Sequence, residues 1–190
     1  MVVHCIHRLV IWGVIAGLIG LCVIAAVALL ILNPVFNPGP LLFAQRRVGQ
    51  FEQPIMIWKF RTMAGGDAQG FAPDQQGRTP WLGRVLRHVH IDELPQIWNI
   101  LTGRMALIGP RPEQWALYPR LAERTPCYRM RTLWRPGLIT HARLRHGYAA
   151  SLAQHRHRAM AEIAEMQHRS AWGDVKLIGQ AVVYVGYKIR

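Results

Sequence analysis

The sequence is poor in acidic residues, in cysteine and in charge overall. Its 190 residues include 10 Asp and Glu against 23 Lys and Arg, which gives a formal net charge of +13. Three cysteines exclude a disulfide scaffold, which needs a dense set of paired cysteines. Charged residues make up 17% and hydrophobic residues 51%, a composition that excludes a disordered chain. The positive excess predicts anionic partners: lipid, phosphorylated substrates or nucleic acid.

One long segment near the N-terminus, residues 9–32, contains neither a charged residue nor a proline. At about 1.5 Å per residue, a helix of this length can cross a hydrocarbon core of about 30 Å. A cleaved signal peptide is disfavoured, because the run is too long and no Ala-x-Ala pattern follows it. The hydrophobicity is uniform around the helix, which favours a membrane helix over the buried helix of a soluble protein.

A cluster of Asn, Pro and Gly at residues 33–40 predicts the end of this helix and a boundary in the chain. We therefore expect a membrane anchor over residues 1–38 and a folded domain over residues 39–190. The domain is basic along its length, so the positive-inside rule predicts that everything after Pro40 lies in the cytoplasm.

The side of the membrane on which the N-terminus lies stays open. A re-entrant hairpin returns it to the cytoplasmic side, whereas a spanning helix places it outside. The residues His4, His7 and Arg8 favour the cytoplasmic side. The lack of a proline midway along the apolar run favours a span, because a bend would break backbone hydrogen bonds.

The rest of the chain predicts a small mixed helix and strand domain, of the α/β or α+β class. Partial alternation predicts two strands, residues 41–48 and 54–63, and a polar, glycine-rich stretch predicts a loop over residues 65–77. Proline, glycine and capping signals predict helices over residues 80–88, 93–101, 112–124, 149–170 and 173–187. The last of these is apolar enough to lie on a membrane as an amphipathic helix, with packing into the core as the alternative.

Asp92 and Glu93 place two adjacent carboxylates at a predicted helix N-terminus, with Asp92 as the N-cap. Adjacent residues of a helix diverge by about 100°, so the two carboxylates can do different work. One can attack a substrate while the other holds a metal ion. Taken alone, the pair is better explained as a cap followed by a first-turn glutamate.

Arg111 lies between Pro110 and Pro112, and the two prolines fix the direction of its guanidinium. Arg135, which precedes Pro136 and Gly137, repeats the arrangement. A guanidinium held in place suits a phosphate or a carboxylate, although turn structure alone also explains both motifs. Two such turns after an Asp-Glu pair, in a basic and membrane-tethered chain, favour an anionic substrate.

Four motifs in order carry a resemblance to a known family. They are Lys-Phe-Arg-Thr-Met at 59–63, Asp-Glu-Leu-Pro-Gln-Ile-Trp-Asn-Ile-Leu at 92–101, Gly-Arg-Met-Ala-Leu-Ile-Gly-Pro-Arg-Pro-Glu at 103–113 and Arg-Pro-Gly at 135–137. The chain resembles the bacterial sugar transferase family, the monotopic polyprenyl-phosphate phosphoglycosyl transferases. The match is close over residues 39–140 and loose at both ends.

The resemblance implies an Mg²⁺-dependent enzyme of the bacterial inner membrane with its catalytic domain on the cytoplasmic face. Such an enzyme moves a phospho-sugar from a nucleotide sugar, usually a UDP-sugar, to polyprenyl (undecaprenyl) phosphate, and so initiates glycoconjugate or exopolysaccharide assembly. Asp92 matches the nucleophile, which forms an aspartyl-phosphosugar intermediate as UMP leaves, and Glu93 matches the Mg²⁺ ligand. The residues matching substrate-binding positions are Lys59, Arg61, Arg87, Arg111, Pro112 and Arg135.

The chain also departs from the family pattern. No Ser-Pro pair breaks the apolar helix, and residues 138–170 diverge, which leaves sugar and acceptor contacts open there. The histidines have no zinc-site spacing, and no nucleic-acid motif is present, so neither zinc nor nucleic acid is an expected partner. A non-catalytic, membrane-tethered basic protein that binds anionic lipid or nucleotide stays the alternative. The sequence predicts no particular oligomeric state.

Overall fold

The structure, a computed structural model, describes residues 2–63, 79–146 and 151–189. It confirms the mixed helix and strand class predicted from the sequence. The strands are β1 Leu42–Val48, β2 Pro54–Phe60, β3 Ala106–Ile108 and β4 Gly137–Ile139. The helices are α1 Val2–Phe36, α2 Trp81–His88, α3 Ile97–Leu101, α4 Tyr118–Arg124, α5 His141–His146, α6 Leu152–Gln167 and α7 Ala171–Ile189. Among the described residues, 3₁₀ segments cover Gln50–Glu52, Ile91–Gln96 and Pro126–Leu133.

The four strands form two small sheets. β1 and β2 make an antiparallel hairpin in which Phe43 lies opposite Lys59. Ile55 and Ile57 on β2 are buried, so this face of the hairpin points into the molecule and Lys59 lies on the same side. β3 and β4 pair in parallel, which requires a crossover connection, and α4 with the 3₁₀ segment Pro126–Leu133 provides it.

Helix α1 is unbroken and packs against the rest of the molecule along most of its length. Its buried residues Ile15, Ala25 and Leu29 recur at helical spacing and define one inward stripe. The C-terminal half of the stripe packs on Phe60 and α2, and the N-terminal half packs on β3 and α7. The outward face is exposed and apolar, with Leu9, Trp12, Ile24, Leu30, Ile31 and Val35. The span Cys5–Phe36 is long and apolar enough to cross a membrane.

An ion pair ties the beginning of α1 to α7. His7 Nε2 lies 2.8 Å from Asp174 Oδ2, and Arg169 binds the same carboxylate. One face of α7 packs in the core through Leu177 and Ile178, as one of the two interpretations predicted. The opposite face is exposed, with Trp172, Val182, Val183 and Tyr187, so contact of that face with a membrane stays a prediction.

The helix predicted over residues 112–124 is present, but its predicted start at Pro112 is wrong. Residues 109–117 stay outside helix because this segment pairs with β1: Gln114 bridges Arg47, and the Val48 N–H donates to the Glu113 carbonyl at 2.9 Å. Helix α4 begins only at Tyr118. β4 and α5 had no predicted counterpart, and the predicted loop at 65–77 lies outside the described residues. The division at residue 38 stays a prediction.

The packing of α1 generates a prediction about its ends. Because His7 is bound to α7 and the inward stripe lies against the domain, we expect the N-terminus to lie on the same side of the membrane as the domain. Two single-cysteine variants test this in a chain whose own cysteines are replaced. One carries the cysteine in a hydrophilic extension ahead of Met1, and the other is Arg120→Cys, an exposed position on α4. Both should react with an impermeant maleimide from the same side of the membrane. Reaction of the two cysteines from opposite sides would contradict the prediction.

Candidate active site

Asp92 and Glu93 lie on the 3₁₀ segment Ile91–Gln96, which continues directly into α3. Both side chains are buried, at 6% and 3% exposure. The prediction that Asp92 caps a helix is wrong: the N-cap position belongs to His90, whose backbone is left-handed at φ 61°. A non-glycine residue in this region is strained and is held by its surroundings. In this case the His90 ring stacks on Tyr184 of α7, with centroids 6.1 Å apart.

Two cations compensate the charge of Glu93. Arg111 contacts both carboxylate oxygens, with Nη2 2.7 Å from Oε1 and Nη1 3.5 Å from Oε2. Lys59 Nζ lies 3.3 Å from Oε1. A carboxylate with so little exposure stays ionised only with such partners. The structure therefore brings together residues separated by up to 52 positions in the chain.

Lys59 is buried among these charges. Burial lowers its pKa to about 8, and the positive charges of Arg111 and Arg47 act in the same direction. The negative charges of Glu93 and Asp92 raise the pKa and oppose this shift. Lys59 is therefore a cation that loses its proton much closer to neutral pH than an ordinary lysine does.

A close crossing of two backbones places the Arg111 turn. Gly137 donates to the Pro110 carbonyl at 2.8 Å, and a Cβ on Gly137 would lie 2.0 Å from the Gly109 nitrogen. A Cβ on Gly109 would in turn lie 2.4 Å from the Arg135 carbonyl oxygen. Only glycine fits at both positions, which explains why each arginine-proline motif carries one.

Side-chain hydrogen bonds from other elements hold the backbone of the Arg111 turn. Arg47 Nη1 donates to the Pro112 carbonyl at 3.2 Å, so β1 supports one side of the turn. Arg131 and Glu162 bind the backbone of Arg111 on another side. Glu162 lies 51 residues from Arg111 along the chain. No local signal in the sequence connects Arg131 or Glu162 to this turn.

The other substrate-binding candidates, Arg61, Pro112, Arg87 and Arg135, form no ion pair with Glu93 among the described residues. Arg61 donates to the carbonyls of Pro40 and Pro38 at 2.8 and 2.6 Å and to those of Asn37 and Met63, so its side chain closes the turn after α1. Pro112 is buried in the turn itself. Arg87 and Arg135 are exposed. Roles of all four in substrate binding stay predictions.

The donor set at the site fits magnesium. Within residues 2–63, 79–146 and 151–189, no three His, Cys, Asp or Glu residues cluster as ligands. Mg²⁺ is commonly held by one or two carboxylates together with substrate phosphates. Glu93 can supply such a carboxylate, provided that a substrate draws Arg111 or Lys59 away from it.

An apolar helix packed on a small mixed domain, with buried carboxylates among cations, defines a membrane-associated protein whose site suits an anionic substrate. The chain belongs to the bacterial sugar transferase family, whose model matches residues 4–188. This confirms the resemblance drawn from the motifs.

Curated relatives with printed activities are similar over most of this chain. It is 36% identical over 159 residues to the UDP-N-acetylgalactosamine-undecaprenyl-phosphate N-acetylgalactosaminephosphotransferase of Aeromonas hydrophila (81% of this chain, 38% of that protein). It is 40% identical over 151 residues to the UDP-glucose:undecaprenyl-phosphate glucose-1-phosphate transferase of Caulobacter vibrioides (77% and 57%). It is 33% identical over 159 residues to the exopolysaccharide production protein PSS of Rhizobium leguminosarum (77% and 78%). The chain thus spans less than two thirds of the first two relatives.

The Glu93–Arg111 pair generates a prediction about stability. Arg111→Met removes the main partner of a buried carboxylate, and we expect a loss of about 3–5 kcal/mol of folding free energy. Adding Glu93→Gln to the same protein removes the carboxylate charge that Arg111 no longer offsets and should recover part of the loss. Thermal unfolding of Arg111→Met, Glu93→Gln and the double variant in one detergent measures both effects. A double variant that loses the full sum of the single effects would contradict the pairing.

Proposed function

We propose that this protein is a phosphoglycosyl transferase that moves a phospho-sugar from a UDP-sugar to polyprenyl phosphate. The observation that carries the proposal is the buried pair Asp92 and Glu93 beside Arg111 and Lys59, in a chain of the sugar transferase family. The names of the relatives give the substrate classes, UDP-sugar and undecaprenyl phosphate. The product starts a glycoconjugate or an exopolysaccharide.

The reaction proceeds in two displacements. In the first, a carboxylate oxygen of Asp92 attacks the phosphorus that carries the sugar, and the bond from this phosphorus to the bridging oxygen breaks. UMP leaves with the electron pair of that bond, and the phospho-sugar stays on Asp92. In the second, an oxygen of the lipid phosphate attacks the same phosphorus, which frees Asp92 and yields polyprenyl-diphosphate sugar.

The cations make attack by a carboxylate on an anionic diphosphate feasible. Arg111 and Lys59 leave Glu93 and bind the diphosphate oxygens, where they offset the charge that develops as UMP departs. Glu93 would hold Mg²⁺, which would supply further neutralisation of phosphate charge. Arg61 keeps the end of β2 fixed against the turn after α1, so that Lys59 stays in register with the site.

The location follows from the substrates and from the helix. The lipid phosphate lies in a membrane and a UDP-sugar is made in the cytoplasm, so the site works where the two meet. We place the protein in the bacterial inner membrane with its domain on the cytoplasmic face. The apolar face of α1 contacts lipid, and the net charge of +13 favours an anionic surface.

Asp92→Asn tests the covalent step. In the absence of lipid, UDP-sugar labelled in the sugar should label the wild-type protein at Asp92. Asp92→Asn should take up no label, and its turnover should fall by at least about a thousandfold. Asp174→Asn is the matched control, because it removes a buried aspartate that binds His7 rather than the site. Wild-type turnover without any labelled protein would contradict the intermediate. Nucleotide and lipid binding with no turnover would favour the non-catalytic alternative.

The pKa of Lys59 sets a pH dependence. Lys59 carries its positive charge below pH 8 and loses it above, so kcat/KM, which reports the free enzyme, should fall as the pH rises through about 8. Lys59→Arg keeps its charge at all these pH values and should move this fall upward by more than about one pH unit. Lys176→Arg, on the exposed face of α7, is the control and should leave the profile unchanged. An unshifted profile in Lys59→Arg would rule out Lys59 as the titrating group.

A further inference from the structure

Two charged side chains bind both backbone polar groups of Arg111. The Arg111 N–H donates to Glu162 Oε1 at 3.3 Å, and the Arg111 carbonyl accepts from Arg131 Nη2 at 2.7 Å. Arg131 and Glu162 also pair with each other. Glu162 comes from the middle of α6 and Arg131 from the 3₁₀ segment before β4, so two distant parts of the chain meet behind the turn.

The pair is part of a larger buried network of charges. Arg131 and Glu162 are 4% and 1% exposed. Arg131 also lies 3.3 Å from Glu113 Oε2, and Arg158 lies 3.2 Å from the same oxygen. Tyr128 donates its hydroxyl to Glu113 at 2.7 Å. The network therefore contacts the backbone of Arg111, whereas the guanidinium of Arg111 contacts Glu93.

Glu113 and Arg131 both stay ionised in this network. Burial alone would raise the pKa of Glu113, but the hydrogen bond with His155 and the charges of Arg131 and Arg158 hold it well below its ordinary value. Burial alone would lower the pKa of Arg131, but the charges of Glu162 and Glu113 raise it above the ordinary value. The network thus provides a fixed arrangement of charges over the working pH range.

Stability alone is a poor explanation for such a network. Apolar residues of similar volume commonly serve a core as well as a buried ion network does, or better. What apolar residues cannot do is bind a backbone amide and a backbone carbonyl at once. In this turn the amide and the carbonyl belong to the residue whose guanidinium reaches Glu93.

We propose that Arg131 and Glu162 are positioning residues that fix the backbone of Arg111 and so aim its guanidinium into the Asp92–Glu93 site. The proposal rests on the proposed function, in which Arg111 binds the diphosphate of the substrate. Pro110 and Pro112 restrict the turn but leave the peptide planes on either side of Arg111 to be oriented by tertiary contacts. Glu162 binds the peptide plane before Arg111, whose Pro110 carbonyl also accepts from Gly137, and Arg131 binds the plane after it.

Glu162→Gln is the first test, because it preserves shape and removes the charge that pairs with Arg131. Small misplacements of a substrate-binding group are costly, and we expect kcat/KM to fall roughly 10- to 100-fold. Glu165→Gln is the matched control on the same helix, where Glu165 binds the Thr140 hydroxyl and the His141 amide instead. It should change kcat/KM by less than about threefold. Glu162→Asp, which keeps the charge, should recover part of the loss.

A double-mutant cycle separates positioning from a general loss of stability. If Glu162 acts through Arg111, Glu162→Gln should have little further effect on kcat/KM once Arg111→Lys is present. Full additivity of the two losses, or equal losses in Glu162→Gln and Glu165→Gln, would overturn the proposal.

Hydrogen exchange provides a readout that does not depend on any activity. Prolines have no amide, so the Arg111 N–H is the only exchangeable backbone amide within residues 110–112. Its exchange should speed up in Glu162→Gln and stay unchanged in Glu165→Gln. Unchanged exchange in both variants would overturn the positioning role. If the wild-type protein releases no UMP from any UDP-sugar, the proposed function fails while this measurement still decides the positioning of Arg111.

Discussion

The structure depends on how the charge of Glu93 is compensated. An unpaired carboxylate in this position would destabilise the fold by several kcal/mol, so Arg111 and Lys59 must reach it from two different parts of the chain. That requirement fixes the hairpin that carries Lys59 and the turn that carries Arg111 relative to the 3₁₀ segment Ile91–Gln96. The same ion pairs keep cations beside Asp92, where a phosphorylated substrate would need them. Folding and chemistry thus share one cluster.

The turn around Arg111 connects this cluster to most of the domain. The turn pairs with β1, and the close approach of Gly109 to Gly137 links the turn to β4. Behind it, the network that contains Arg131 and Glu162 links it to α6. A short segment with two prolines is therefore held by hydrogen bonds to elements that are spread over more than a hundred residues. A guanidinium held in this way is preorganised, which is the condition under which a charge contributes most to binding or catalysis.

Helix α1 belongs to the same core. Its inward stripe packs on α2, β3 and α7, and Leu94, two residues from Asp92, lies in the same cluster as Leu29 of α1. The helix that fits a membrane and the segment that carries the carboxylates therefore support each other directly. The exposed apolar face of α1 and the stripe that supports the site are two faces of one helix, so a membrane bound by that face would lie beside the site.

The sequence by itself determined the apolar helix, the β1–β2 hairpin, helices α2, α6 and α7 and the family, since periodicity, composition and contiguous motifs are local properties. It also named Asp92, Glu93, Lys59 and Arg111. It did not predict that His90 rather than Asp92 precedes the 3₁₀ segment, that residues 113–115 pair with β1, or that Arg61 closes the turn after α1. It gave no sign of Arg131 and Glu162 behind Arg111. These features are decided by tertiary structure, because each is a contact between residues far apart in the chain, and such contacts override local helix and capping preferences.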